Sequence, residues 1–217
     1  MHGKTYNGQM QSISHLLDPE VLLRTVGIVG LFVIIFAESG LLIGFFLPGD
    51  SLLFTAGILA PAFGVNIFLI AIGSALMAIL GDSLGYMIGN KFGPSIFSRE
   101  KSRLFHPENV KKAQAFFEKK GPSSIILARF IPVIRTFVPV IAGVAKMDYK
   151  TFVSYNIIGG IIWGAGLPLL GSYLGKSIPN IDHYLLPIVI GIVILSLIPI
   201  AVGLIKSRFG GFDDGKI

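Results

Sequence analysis

Ionisable side chains inside apolar segments are the feature that most constrains how this chain can fold. Two such segments contain prolines and run from Phe36 to Ala60 and from Ser123 to Ala145, and a third apolar stretch runs from Val65 to Phe92. A charge at the centre of a bilayer costs about 2.5–3.5 kcal/mol, so such residues are rarely kept without a function. Acids in one broken segment and arginines in the other predict a polar site where the two segments meet. The charged residues are Glu38, Asp50, Asp82, Arg129 and Arg135.

Composition indicates that a lipid bilayer is the solvent of this chain. Of its 217 residues, 53% are hydrophobic and 14% are charged, whereas a soluble domain carries about 25% charged residues. The net charge of +6 does not predict nucleic-acid binding, because the basic residues gather in loops beside apolar spans, as in cytoplasmic loops. Without cysteine, the chain has no thiolate metal site and no thiol nucleophile. We therefore expect a multi-pass membrane protein.

The succession of apolar and polar stretches predicts an all-α polytopic membrane protein. We expect about three full transmembrane helices, because a span needs about 20 apolar residues. The stretch from Val21 to Phe46 is open to two interpretations, as a further span or as one arm of a hairpin. The predicted spans are Val65–Phe92, Phe152–Gly175 and Tyr184–Ile205. The predicted parts of the chain are a polar tail or interfacial helix at residues 1–20, a membrane domain at 21–206 and a tail at 207–217.

Proline and glycine breaks predict two re-entrant hairpins. Proline lacks the amide donor that a helix needs, and the nine residues after the first break are too few to cross a bilayer. Each hairpin is followed by a full span, which resembles an inverted repeat whose hairpins enter from opposite faces and meet near the midplane. The breaks are Pro48 and Gly49 in a hairpin of about residues 28–60, and Pro132 and Pro139 in a hairpin of about residues 123–145.

Two surface patterns complete the layout. Residues 94–121 hold seven basic and three acidic side chains, which places this loop in the cytoplasm. From Pro107 the loop is either an amphipathic helix on the anionic leaflet or a plain solvated loop. Four glycines spaced four residues apart predict a close approach by a neighbouring helix, with simple packing as their role. These glycines are Gly81, Gly85, Gly89 and Gly93.

The acids have both structural and functional interpretations. Asp50 follows Pro-Gly and is either an N-cap or part of an anion site at a helix N-terminus. Glu38 is either a surface acid that reaches water or a buried acid, and burial favours its neutral form and makes it a proton carrier. Three acids against two arginines leave one acid in excess, and protonation removes that excess charge. Glu38, Asp50 and Asp82 are therefore our candidates for proton coupling.

Arg129 and Arg135 flank Pro132, and a break there allows both side chains to converge on one spot. Guanidinium groups stay charged and bind carboxylate or phosphate through paired hydrogen bonds. The two arginines are therefore either static partners of Glu38 and Asp50 or the binding site for a substrate phosphate. No metalloprotease, hydrolase, P-loop or dinucleotide motif stands in a fitting context, and the four histidines are scattered. We expect neither enzyme activity nor a cofactor or metal site.

Several long blocks resemble the DedA family of membrane proteins, the group that shares the VTT (SNARE-associated) domain. The blocks are FAESGLLIGFFLPGDSLLFTAGILA, GDSLGYMIGNKFG, ILARFIPVIRTFVPVIAGVAKM and FVSYNIIGGIIW. The resemblance covers about residues 20–205. It implies an inner-membrane protein with two opposed re-entrant loops. Bacterial relatives are linked to undecaprenyl-phosphate recycling and to tolerance of pH and membrane-potential stress, and some relatives move phospholipids. The family's functional acids match Glu38 and Asp50, and its paired arginines match Arg129 and Arg135.

The residues and the resemblance together predict a transporter that moves a phosphate-bearing lipid between leaflets by proton coupling. Undecaprenyl phosphate is the first expected substrate and a phospholipid the second. The partners are then an anionic lipid, protons and the surrounding membrane lipids, without nucleic acid. One alternative is a proton- or cation-coupled antiporter of small solutes, and another is a non-transporting scaffold for envelope maintenance. The oligomeric state is open, a homo-oligomer included.

Overall fold

The structure, a computed structural model, describes residues 19–41, 49–96, 114–115, 117–178, 187 and 191. These ranges consist of helices and short turns and contain no strand. In this part of the chain, three helices are long and apolar enough to cross a membrane: Leu23–Gly40, Ile67–Gly93 and Tyr149–Ser177. The predicted all-α class is therefore confirmed for the described residues.

The described chain contains seven α-helices and one π-helical segment with defined bounds, and residues 114–115, 117–120, 187 and 191 are also helical. The π segment Ile161–Ala165 joins the last two helices into one continuous rod. The α-helices are α1 (Pro19–Gly40), α2 (Gly49–Leu59), α3 (Ile67–Ile96), α4 (Ser124–Ala128), α5 (Pro132–Val144), α6 (Tyr149–Gly160) and α7 (Gly166–Ser177).

Two of the three predicted spans are confirmed as helices of spanning length. The first corresponds to α3, and the second to the rod formed by α6, the π segment and α7. The third, Tyr184–Ile205, lies outside the described residues except for positions 187 and 191. The open stretch from Val21 to Phe46 contains α1, which is itself long and apolar enough to span. The tail at 207–217 and residues 1–18 also lie outside the described ranges.

The helix boundaries differ from the prediction in the first hairpin. Helix α1 ends at Gly40, well before the predicted break at Pro48, which lies outside the described residues. A Cβ added at Gly40 would lie 2.9 Å from the carbonyl oxygen of Gly81 on α3, so the end of α1 packs backbone against backbone. Helix α1 is also interrupted at Gly27, whose φ of 62° and ψ of −162° are not helical and favour glycine.

The second hairpin is broken at one proline and not at the other. The chain leaves α4 at Ala128, turns through Arg129–Ile131 and begins α5 at Pro132, where a missing amide donor costs little. Pro139 lies inside α5, so the prediction that it breaks the helix is wrong. Its side chain is buried and faces Gly85 of α3, and this packing offsets the one helical hydrogen bond that proline cannot make.

Glycines bring α3 and α5 into direct backbone contact. A Cβ added at Gly89 would lie 2.0 Å from the Val140 carbonyl oxygen, and one at Gly143 would lie 2.1 Å from the Tyr86 carbonyl oxygen. The close approach predicted for the glycine face of α3 is therefore confirmed. The same face continues toward α1, because a Cβ at Gly81 would lie 2.6 Å from the carbonyl oxygen of Phe36.

Helices α2 and α7 make an equivalent contact on the other side of the molecule. A Cβ added at Gly57 would lie 2.0 Å from the carbonyl oxygen of Pro168, and one at Gly171 would lie 2.2 Å from that of Phe54. Each short apolar helix therefore packs on a long span from the other half of the chain, α2 on α7 and α5 on α3. Opposed re-entrant insertion and an inverted repeat remain predictions.

Two apolar clusters flank the region that carries the charges. One contains Leu31 and Ile35 of α1 together with Leu52 of α2, and the other contains Val138 of α5 and Phe152 of α6. The described end of the basic loop joins the second cluster, because Phe117 is buried there. Phe117 therefore packs on the protein, and the predicted contact of this segment with a leaflet stays a prediction. Residues 97–113 of this loop lie outside the described residues, and residues 94–96 form the end of α3.

The turn from α5 to α6 is fixed by side chains outside the spans. Asp148 caps α6, and its Oδ2 accepts hydrogen bonds from the Thr151 amide at 2.9 Å and the Thr151 hydroxyl at 3.1 Å. These two bonds hold the pKa of the Asp148 carboxyl below its usual range. Lys146, with φ of 56°, donates to the Asn90 carbonyl oxygen at 2.9 Å and so ties the turn to α3.

Candidate functional site

Arg135 links three helices through two carboxylates. Its Nη2 donates to Glu38 Oε1 on α1, and its Nη1 donates to Asp50 Oδ1 on α2 at 2.5 Å. Glu38 and Arg135 are buried, whereas Asp50 is partly accessible. We call Glu38, Asp50 and Arg135 the first cluster.

The backbone of α2 shapes the first cluster. The second oxygen of Glu38, Oε2, lies against Gly49, where an added Cβ would overlap it. Only glycine therefore fits at the start of α2, and the N-terminus of this helix favours the nearby negative charge. Asp50 lies in the first turn of α2 and directs its carboxylate to other helices. The described contacts of the Asp50 carboxylate are thus with other helices, and its predicted part in an anion site stays a prediction.

Arg129 belongs to a separate group of polar side chains. It follows the last residue of α4, and its Nη2 donates to Asp82 Oδ2 on α3 and to Asn156 Oδ1 on α6 at 2.5 Å. The Asn156 amide nitrogen donates in turn to the Ile79 carbonyl oxygen at 3.0 Å, which orients the side chain. All three side chains are buried. We call Asp82, Arg129 and Asn156 the second cluster.

Trp163, in the π segment, contacts both clusters. Its indole N–H donates to Asp50 Oδ1 at 2.6 Å. The centre of its ring lies 4.5 Å from Cζ of Arg135 and 5.9 Å from Cζ of Arg129. Both distances lie within the range of cation–π attraction, so the indole stabilises the two guanidinium groups as well as the carboxylate.

The predicted polar site therefore exists, but its pairing differs from the expectation. Arg129 and Arg135 do not converge on one spot, because the turn after α4 sends Arg129 to Asp82 and α5 sends Arg135 to Glu38 and Asp50. The second cluster is thus a matched pair of charges. The excess acid of the five-residue set lies in the first cluster, where two carboxylates share one arginine. The proton-coupling roles of Glu38, Asp50 and Asp82 and the phosphate-binding roles of the arginines remain predictions.

Two polar residues of the site were not among the sequence candidates. Asn156 and Trp163 lie inside the predicted span Phe152–Gly175. A buried amide in an apolar helix and the only tryptophan of the chain are the signals that could have marked them. Within the described ranges, no three His, Cys, Asp or Glu side chains are placed to hold a metal ion.

Arg135 of the first cluster carries donors of a kind that can also bind phosphate. Guanidinium groups bind phosphate oxygens through the same paired geometry that they use for carboxylates. Protonation of Glu38 or Asp50 weakens its hold on Arg135 and leaves donors available for another anion. The second cluster lacks an excess charge, so Arg129 is held by Asp82 with no second acid to compete.

Known proteins match this chain along most of its length. The VTT domain family matches residues 47–173, which include α2 through most of α7. An uncharacterized membrane protein of Mycobacterium tuberculosis (strain H37Rv) is 46% identical over 192 residues, covering 85% of this chain and 84% of that protein. A second, from Mycobacterium leprae, is 44% identical over 183 residues, covering 84% and 82%.

Protein DedA of Escherichia coli K12 is 39% identical to this chain over 180 residues, covering 82% of each. No solved structure matches the chain significantly. The relatives are membrane proteins, and three described helices are of spanning length, so this is a multi-pass membrane protein. On the extent of the VTT match and the identity to Protein DedA, the chain belongs to the DedA family of VTT-domain membrane proteins.

Proposed function

We propose that this protein moves a lipid with a phosphate headgroup between the leaflets of the inner membrane, using protons to drive the exchange. Undecaprenyl phosphate is the first substrate to test and a phospholipid the second. One observation carries the proposal: a buried arginine, Arg135, is shared by two carboxylates on different helices. A buried guanidinium that can change partners is suited to bind a phosphate for part of a cycle.

The proposed cycle alternates the partner of Arg135. Protonation of Glu38 and Asp50 neutralises both acids, and Arg135 then binds the anionic headgroup. Loss of those protons restores both carboxylates, which recapture Arg135 and expel the headgroup. Each pH unit of gradient supplies about 1.4 kcal/mol per proton, which is enough to bias such an exchange. The lipid tail stays in the bilayer throughout.

The packing of the short helices supports this cycle. Arg135 lies on α5 and Asp50 on α2, while α5 packs on α3 and α2 packs on α7. The two partners of the exchange therefore stand on two different packed pairs of helices, α3 with α5 and α2 with α7. Rocking one pair against the other would separate or join the partners.

We expect Arg135→Lys to lose most lipid transport while the protein still inserts in the membrane. Lysine keeps the charge and lacks the planar fork that binds two oxygens at once. The measurement is translocation of undecaprenyl phosphate in proteoliposomes, with and without an imposed pH gradient. Arg24→Lys is the matched control, because Arg24 is an exposed arginine on α1. Near-normal transport by Arg135→Lys would contradict a phosphate-binding role for Arg135.

We expect Glu38→Gln to transport lipid at a rate that depends much less on pH. Glutamine resembles the protonated acid and cannot release a proton, so one of the two proposed proton carriers is lost. The measurement is the rate of lipid movement over a range of pH, compared with wild-type protein at equal incorporation. Asp148→Asn, which removes an acid outside the spans, is the matched control. A full wild-type pH dependence in Glu38→Gln would assign the proton to another acid.

The antiporter alternative rests on the same ion pairs. In this alternative Arg135 is a permanent partner of Glu38 and Asp50, and small solutes move without any lipid. Proteoliposomes that show no lipid movement under any gradient but exchange protons for small cations would favour it. The scaffold alternative predicts that variants of Arg135 act only through folding.

A further inference from the structure

Trp163 joins the acid and the arginine whose exchange is proposed. Its indole N–H donates to Asp50 Oδ1 at 2.6 Å, and this same oxygen accepts Arg135 Nη1 at 2.5 Å. The ring also lies against the Arg135 guanidinium, with 4.5 Å from the ring centre to Cζ. The indole and Arg135 therefore share one acceptor oxygen, so a change in the contact between Asp50 and Arg135 changes the surroundings of the indole.

The backbone around Trp163 fixes the direction of the indole. Trp163 is the central residue of the π segment. Such segments are rare in proteins, and those that exist are often found at functional sites. A Cβ added at Gly164 would lie 2.8 Å from Cα of Ala75 on α3, so the segment has no room to move toward that helix. The side chain is 3% exposed. The indole therefore keeps its position when its partners change.

Asp50 is the most accessible charged group of the site. Its side chain is 20% exposed, compared with 9% for Arg135 and 1% for Glu38. An anion or proton that enters the site therefore meets Asp50 before Glu38. When protonation of Asp50 releases Arg135 to the anion, the Asp50 side chain loses its hydrogen bond from Arg135. The indole N–H is the donor that remains on Asp50.

We propose that Trp163 is a positioning residue that holds the Asp50 carboxylate in place while Arg135 alternates between Asp50 and a phosphate headgroup. The identity of the headgroup rests on the proposed function, whereas the coupling of Trp163 to Asp50 does not. The charged groups of the site lie on four helices and in the turn after α4, and the test must separate them. They are Glu38 on α1, Asp50 on α2, Asp82 on α3, Arg129 after α4 and Arg135 on α5.

The first test is independent of transport and uses the full chain purified in detergent. Trp163 is the only tryptophan, so intrinsic emission reports on this one position. We expect a pH titration to show a transition in emission that Asp50→Asn abolishes, because asparagine still accepts the indole bond but does not titrate. Glu38→Gln should keep the transition. A transition that survives Asp50→Asn, or no transition in the wild-type protein, would overturn the coupling.

The second test uses Trp163→Phe, which keeps an aromatic ring beside the arginines and removes the N–H donor. Loss of the hydrogen bond from the indole to Asp50 should change the pH profile of transport, because this bond holds the Asp50 side chain beside Arg135. A wild-type pH profile in Trp163→Phe would overturn the positioning role. Absence of lipid transport in the wild-type protein would reject the proposed function, and the emission titration would still decide the coupling.

Discussion

Replacing Arg135 by methionine should destabilise the folded protein by about 3–5 kcal/mol, the usual effect of removing one partner of a buried ion pair. Methionine has a similar volume, so a cavity is not the cause. The loss arises because the buried Glu38 and the partly buried Asp50 remain within the same site without their cation. Thermal unfolding in detergent measures the change, and Arg24→Met on the exposed side of α1 is the control.

Removing all three charges should recover most of that stability. A triple variant with Glu38→Met, Asp50→Asn and Arg135→Met has no unpaired charge, and the amide oxygen introduced by Asp50→Asn can still accept the Trp163 N–H. Buried ionic groups replaced by residues of similar volume are often neutral for stability. We therefore expect the triple variant to unfold near the wild-type temperature and to be inactive in lipid transport. A triple variant as unstable as Arg135→Met alone would show that Arg135 stabilises the fold through contacts other than its carboxylates.

The combination of these two results separates folding from function. A folded but inactive triple variant would indicate that the first cluster serves the chemistry of transport, because an uncharged site satisfies the fold. A folded and active triple variant would reject any exchange at Arg135. The scaffold alternative would then gain support, since it needs no charged site.

Local sequence patterns predicted the positions of the helices better than the residues at which the helices end. Apolar length alone identifies α3 and the rod from α6 to α7, because a bilayer requires about 20 apolar residues. The end of α1 was missed because Gly40 packs on the backbone of Gly81, a contact 41 residues distant in the chain that no local pattern shows. Pro139 was wrongly predicted to break the helix, also because of a contact distant in the chain. Its burial against α3 compensates for the missing hydrogen bond.

The residue types of the site were predictable, and their pairing was not. Acids and arginines in apolar segments must find partners, which predicts a shared site but not which acid meets which arginine. The sequence predicted that the side chains of Arg129 and Arg135 meet, because a helix break at Pro132 allows both to converge. The turn at Arg129–Ile131 instead directs Arg129 to Asp82, and that direction depends on how α4 packs on α6. The contact of Trp163 with the site could be recognised only from the structure, in which the π segment places the indole N–H on Asp50.

Gly89→Ala should separate α3 from α5 and cost about 3 kcal/mol or more, at the upper end of overpacking effects. The added methyl would lie 2.0 Å from the Val140 carbonyl oxygen, and backbone atoms cannot turn away as a flexible side chain can. Helix α5 carries Arg135 and α3 carries Asp82, so the shift should also disturb both clusters. Thermal unfolding and recovery of monodisperse protein from the membrane measure the effect.

Gly166→Ala is the matched control for this prediction, because Gly166 is also a helical glycine but has nothing within 4 Å of an added Cβ. Alanine is the better helix former, so this variant should be neutral or slightly more stable. A difference of several degrees in unfolding temperature between the two variants would then come from the helix contact alone, since the chemical change is identical. Equal stability of Gly89→Ala and Gly166→Ala would mean that α3 and α5 do not meet through their backbones, and the position of Arg135 would need another support.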